Sequence, residues 1–573
     1  MNSAYLEQAF NKANKFIKKG DFEKAITIYD MVLEKFPKNF RASKAIKRIC
    51  PQSTVNDQNY LVELYNKGQI NEGILECEKL IQKHPHDHYL LNFLGIFYHA
   101  SKRFDEAEYN YQKSLKINNK TASIWSNLSV TQHSLNQYKE SIDSCKIALN
   151  LEPGNAKALN NLGHAYFAIK EYYKALDVLK KSISIEPGEF TTLNNLGNTY
   201  QKLSLYDEAI YYLDKALKIN NQNHDILYNI ASAYRDIGKF DLAINNYIKS
   251  VQLNSANVRN FTSLMELCFQ IGLWGKFKAE FLNIIKLNNY KIHNYFYSIY
   301  NLIYSFTAKD FSQTEIELKK LNSFVNESEF LQIKEIKDKV FILAYFNLIK
   351  GMLDFFKINE TEDGNNIEQI YHIGESHSLA FSHCSINRKN KTYKVEPRII
   401  FGLKAWHLSQ ESESRFKSIF KENIKSVPNN SKLLISIGEI DCRKNEGIIH
   451  RHLKSGEDID DIIQNTISGY LSFIRKYTNE KNLKPYFFSI PAPVSENTKN
   501  LQNNDKAQLS KLRISVVEKF NQALKVNIKN ISGKYIDTHS ITTNKNGSSN
   551  KEFMVDEIHL HPKIFNLIED QII

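Results

Sequence analysis

Long apolar runs are missing from this chain. No stretch of about 18 uninterrupted apolar residues occurs, so no membrane span is expected. Nor does a charged start followed by an apolar core open it (Met1-Asn2-Ser3-Ala4-Tyr5-Leu6-Glu7), so no signal peptide is expected either. Cysteine is sparse. Cys50, Cys77, Cys145, Cys268, Cys384 and Cys442 are scattered, form no CxxC pair, and read as free thiols in a reducing compartment. A cytoplasmic location is therefore expected. There are 21 glycines and no GxGxxG, so a phosphate-cradling loop is excluded. No cofactor is called for. The His450/His452 and His559/His561 pairs lack the spacing of a known zinc motif, so no metal is called for. The formal charge is +12, but Lys interleaves with Glu and Asp (Lys139-Glu140, Asp214-Lys215). That pattern makes solvated helix faces, and no nucleic-acid partner is expected.

What is present is length and repetition. A chain of 573 residues is too long for one core, and about two or three domains are expected. The first half repeats every 34 residues: Ala107, Ser141, Ala175, Ala209 and Ala243 share one phase. Gly95, Ser129, Gly163, Gly197 and Ala231 share a second, and Phe104, Tyr138, Tyr172, Tyr206 and Phe240 a third. Small residues at two phases let paired helices approach closely, and the aromatic fills the space beside them. Pro153 and Pro187 stop the second helix of their units.

This pattern resembles the tetratricopeptide repeat, with Leu162-Gly163, Tyr166, Ala175, Pro187 and Trp125 at its consensus phases. Looser units run from Gly20 to Pro37 and from Gly68 to Pro85, with an insertion of 14 residues around 38–53. The expected layout is an all-α superhelical array over 1–256, then degenerate helical repeats, a cap and a linker over 257–366. Asn127, Asn161, Asn195 and Asn229 recur at one phase of the first helix, which lines the concave face of such arrays. An amide donates and accepts at once, so this ladder suits a peptide backbone. It resembles the asparagine ladder of O-linked N-acetylglucosamine transferase, which implies a protein or peptide partner on the concave face. The plainer role for these asparagines is that of polar surface residues.

Over 367–573 short apolar runs (Ile370–Ile373, Leu433–Ile437, Tyr486–Ile490, Tyr535-Ile536) alternate with amphipathic stretches (Ile459–Tyr477, Lys506–Ile528). The alternation predicts an α/β domain with a parallel sheet, whose chemistry gathers beyond the strand ends. Gly374-Glu375-Ser376 follows the first run, Gly438-Glu439-Ile440-Asp441 the second, and Asp556-Glu557-Ile558-His559 comes last. A serine, then a carboxylate three residues before a histidine, is the material of Ser-His-Asp chemistry. His377 reads as a rim or substrate contact, and Cys442 as a buried filler. Ser376 and Asp556 could equally be helix caps.

These segments resemble the SGNH (GDSL-type) hydrolases, which have a flavodoxin-like fold. The resemblance implies Ser376 as nucleophile, His559 as general base and then acid, and Asp556 as the group that fixes the imidazole tautomer. It implies an oxyanion hole from the N–H groups of Ser376 and Gly402, and ester substrates of the O-acylated carbohydrate or lipid class. The family's Gly-x-Asn-Asp block is broken here: Ile440 stands where its asparagine amide would donate, and Arg443 is the nearest substitute. The first reading is an ester hydrolase or O-acyl transferase acting on an acylated glycan or a modified protein presented by the array. The alternative is a non-catalytic interaction protein with a degenerate hydrolase-like domain. A glycosyltransferase-associated repeat protein is third, because 367–573 is too short for a two-lobed nucleotide-sugar site.

Overall fold

The computed structural model describes residues 2–36, 38–49, 53–288, 291–327, 330, 336–359, 366–388, 391–443, 446–493, 503–556 and 558–573. Pro37, Cys50 and Glu557 lie outside the described residues. The chain forms two compact units, Met1–Ile219 and Asn220–Ile573.

The first unit is all helix. Antiparallel pairs such as His88–Ala100 with Phe104–Ile117, and Ala156–Ala168 with Tyr172–Ile185, recur along it. The inserted stretch supplies an extra helix, Phe40–Ile49. Small residues sit where the partner helix presents a bulky side chain. A Cβ on Gly95 would lie 2.7 Å from the Tyr111 ring, and one on Gly163 would lie 2.5 Å from Leu179 Cγ. The facing Ala107, Ala175 and Ala209 are fully buried. The turn inside each pair places one residue in the left-handed region. Gly68, Lys102, Asn136, Lys170 and Ser204 fall at the 34-residue phase with φ between +60° and +71°. Only glycine adopts that conformation without a Cβ penalty, so four of these five turns carry backbone strain.

The second unit begins with more pairs (His224–Asp236 with Phe240–Leu253, Val258–Gln270 with Trp274–Asn288, Lys291–Thr307 with Phe311–Val325) and a long helix, Ile336–Ile358. A six-stranded sheet follows: β1 (Ile367–Gly374), β2 (Ser385–Arg388), β3 (Lys391–Ile399), β4 (Lys432–Ser436), β5 (Lys484–Phe488) and β6 (Lys534–Ile536), in the order β2-β3-β1-β4-β5-β6. The wholly parallel sheet expected from the sequence is corrected at one edge. β2 pairs antiparallel with β3, while the remaining pairs are parallel. The β2–β3 hairpin escaped notice because β3 carries Lys391, Lys394, Glu396 and Arg398 in place of an apolar run.

Each face of the sheet has its own core. Ile373, Leu433 and Ile435 pack with helices Arg415–Lys425, Ile459–Glu480 and Asn503–Asn527. Ile370, Leu434, Phe488 and Ile536 share a core with Trp274, Phe306, Ile349 and Met352 from the preceding helices. Polar contacts tie the same elements. Gln270 Oε1 accepts from Phe401 N (3.1 Å), and Asn423 Nδ2 donates to Gln270 O (2.9 Å). The helices between 258 and 358 thus form one wall of the α/β fold.

Candidate active site

β1 ends at Gly374 against β4. A Cβ there would lie 2.2 Å from Ser436 Oγ and 2.7 Å from Ser436 O, so glycine alone lets the strands meet. The chain then turns through Glu375 into a 3₁₀ turn, Ser376–Phe381, with Ser376 at its first position. Ser376 is 5% exposed and His559 4%. The far segment is a tight loop, closed by Val555 N donating to His559 O at 2.8 Å. Asp556 Oδ1 accepts from Ile558 N (2.7 Å) and His559 N (2.8 Å), leaving Oδ2 for the ring.

The structure brings Ser376, Asp556 and His559 together. His559 Nδ1 donates to Asp556 Oδ2 at 2.7 Å, and Ser376 Oγ donates to His559 Nε2 at 2.8 Å. With Nδ1–H held by the carboxylate, Nε2 presents its lone pair to the serine, the arrangement in which imidazole removes a hydroxyl proton. Burial opposes ionisation of Asp556, but the hydrogen bonds from His559 and the backbone outweigh it and hold the carboxyl below its ordinary value.

His377 is corrected from a rim position. It is buried, and its Nε2 donates to Ile558 O at 3.1 Å, which ties the serine turn to the Asp556–His559 loop. Burial would favour its neutral form, but Glu375, 3.9 Å away, and Glu439 raise its pKa. Arg443 lies beside this group but is engaged: its Nε donates to Glu439 Oε2 at 2.8 Å, and Glu375 Oε1 is 3.8 Å away. Arg513 adds a second partner for Glu439 at 3.3 Å. Ile440 is buried in a short 3₁₀ turn with Asp441 and Cys442. Asp441 accepts from Ala405 N (2.7 Å) and Trp406 N (3.0 Å), so it anchors the segment after β3. Cys442 is buried, and burial beside Asp441 and Glu439 pushes its thiol well up.

Gly402 takes φ +68° on an exposed turn after β3. Its neighbour Phe401 packs edge-on against Tyr345, at 5.4 Å between ring centroids. Tyr345 is 6% exposed on the helix Ile336–Ile358, and burial, reinforced by Glu375, holds its phenol well above its ordinary value. Sequence reasoning missed it, since it lies 31 positions before Ser376 in a helix without a chemical motif. A cavity of about 20 Å³ borders the site, lined among others by His377, Glu439, Ser489 and Leu560, room for about one water.

In the first unit, the amides of the ladder bond to the preceding repeat. Asn127 Nδ2 donates to Asn92 Oδ1 (3.0 Å), Asn161 Nδ2 to Ser126 O (3.2 Å), and Asn195 Nδ2 to Asn160 Oδ1 (2.9 Å). Asn229, at the same phase, is half-buried in the second unit.

Residues 154–222, 188–256 and 4–39 match family models of the tetratricopeptide repeat. Among solved structures, the chain is similar to the Cut9–Hcn1 hetero-tetramer of the APC/C, with 18% identity over 50% of this chain and 54% of that one and a TM-score of 0.37. It is similar to a thermophilic repeat protein of Thermus thermophilus, TTC0263 (21% identity, 31% and 98% covered, TM-score 0.30). It is also similar to MamA (26% identity, 28% and 93% covered, TM-score 0.25). The chain spans about half the length of the Cut9–Hcn1 chain that it matches. A search of the curated proteins found no match. The chain therefore carries tetratricopeptide repeats. Among the described residues, no helix is long and apolar enough to cross a membrane.

Proposed function

We propose that the α/β part of this chain is a serine esterase or O-acyl transferase of the SGNH type. The observation that carries the reading is the relay Asp556–His559–Ser376, at 2.7 Å and 2.8 Å. Ser376 Oγ attacks an ester carbonyl carbon while its proton passes to His559 Nε2. The tetrahedral species collapses, the leaving alkoxide takes that proton, and an acyl-serine remains. Water or an acceptor hydroxyl, deprotonated by the same imidazole, then releases the acyl group. Asp556 holds the tautomer and stabilises the imidazolium. Oxyanion donors in this reading are the N–H groups of Ser376 and Gly402. The substrate class is an O-acyl ester of a glycan or of a modified protein.

The repeats bind a protein or peptide in this reading. Asn127 and Asn195 each give one amide N–H to a neighbouring repeat, so the peptide backbone would be held by the second N–H and the carbonyl oxygen of these amides.

Hydrolysis of p-nitrophenyl acetate by the parent, Ser376→Ala and His559→Ala tests the serine site. Turnover that falls by about 10³-fold or more in both variants supports it. Turnover shared by parent and variants favours the second reading, a non-catalytic interaction protein. Ile440, whose side chain offers no donor, is the observation behind that alternative.

A further inference from the structure

The peptide units on either side of His559 are both held. On its C-terminal side, His559 O accepts from Val555 N at 2.8 Å. On its N-terminal side, the unit that joins Ile558 to His559 is gripped at two edges. Its N–H donates to Asp556 Oδ1 at 2.8 Å, and its carbonyl, Ile558 O, accepts from His377 Nε2 at 3.1 Å. Two of these bonds are internal to the loop, and the third comes from the turn that carries the serine. That turn is itself fixed: Ser378 N and Oγ both donate to Glu375 O, at 2.9 and 2.7 Å, and Ser376–Phe381 is buried throughout. The His377 ring lies 5.3 Å from the His559 ring between centroids, with its Nδ1 3.9 Å from Glu375 Oε1. One nitrogen thus faces the serine turn and the other holds the backbone of the histidine.

We propose that His377 is a positioning residue for the serine chemistry: by holding the Ile558 carbonyl, it sets the angle at which His559 Nε2 meets Ser376 Oγ. The proposal rests on the serine-ester reading above. His377 exchanges no proton with the substrate. The proton of Ser376 Oγ goes to His559, and His377 acts only through the peptide unit that fixes the His559 ring. Its Nε2 carries a hydrogen in the charged ring and in one neutral tautomer. Burial works against the charge, while Glu375 and Glu439 favour it and raise the pKa against the opposition of Arg443. Proton transfer is sensitive to such aim, since a misplacement of about 1 Å costs about 10²-fold in rate.

The test is His377→Leu and His377→Gln in the full chain, beside the parent and Ser376→Ala. Leucine fills the space without a donor, whereas glutamine brings an amide N–H to Ile558 O. The readouts are p-nitrophenyl acetate kinetics, the rate of fluorophosphonate labelling, and Tm. In His377→Leu, kcat and the labelling rate should fall together by about 10²-fold, with KM close to the parent. His377→Gln should recover most of that loss. A merely packing role would not separate the two variants. If Tm shows that His377→Leu does not fold, His377→Ala takes its place, because it only enlarges the cavity that already borders the ring. If the donor and non-donor variants turn over and label alike, or only KM moves, while Ser376→Ala is inactive, the positioning role is overturned and the serine site stands. If Ser376→Ala matches the parent, or the parent neither turns over nor labels, the serine reading falls and the positioning role falls with it.

Discussion

The repeat unit and the serine site hold their buried polar groups in opposite ways. In the repeats, partners are one unit apart: Asn161 reaches Ser126 and Asn195 reaches Asn160, both at an offset of 35 residues. At the site, Ser376 meets His559 across 183 residues, and His377 meets Ile558 across 181. A fault in a repeat is shared with its neighbours and ends there. A fault at the site breaks a contact for which no second copy exists. The same glycine therefore has different weight in the two regions. Gly163 faces Leu179, a branched side chain that can shift, whereas Gly374 faces the backbone of Ser436.

The largest effect should come from Gly374→Ala. With its Cβ 2.2 Å from Ser436 Oγ and 2.7 Å from Ser436 O, β1 and β4 must part. A loss of about 1–3 kcal/mol is expected, with turnover lost alongside. Chemical denaturation and ester kinetics on one sample check it, and parent-like stability would show that the two strands can separate at little cost.

His377→Gln should have a smaller effect, and one that depends on pH. His377 holds its proton more tightly folded than unfolded. Its contribution is fully present below the ordinary value of 6.5 and is lost as pH rises through the higher folded value. The Tm gap between parent and variant should therefore be widest below that ordinary value and narrow as pH rises past it. A gap that widens with pH would contradict the assignment.

The smallest effect, and one of opposite sign, belongs to Lys170→Gly. Its turn residue takes φ +66°, where a Cβ costs about 1 kcal/mol, so glycine should stabilise by up to about that amount. The urea midpoint should rise without a change in turnover. A fall would place Lys170 in a contact more valuable than its strain.

The contrast also explains what could be read from the sequence. A contact that recurs at a fixed offset leaves a period, and Gly95, Gly163 and Gly197 opposite Tyr111, Leu179 and Leu213 are such contacts. The short segments with Ser376, Asp556 and His559 stood out because each has a chemical type and a strand or turn beside it. Tyr345, the Arg443–Glu439 pair and the β2–β3 hairpin left no trace of that kind. Their partners are set by the fold: a buried tyrosine in a helix reads as core, and a charged edge strand reads as loop. His377 was misplaced for the same reason, since nothing local says that Ile558 O will be its acceptor.

The shared core between helices 258–358 and the sheet has a practical consequence. A fragment cut at residue 366 would bare Ile370, Leu434 and Phe488 to water, and would leave Tyr345 on the discarded piece. Anyone grafting these repeats onto another protein, or this site onto other repeats, should place the seam near residue 219, where one compact unit ends. The last repeats travel with the chemistry.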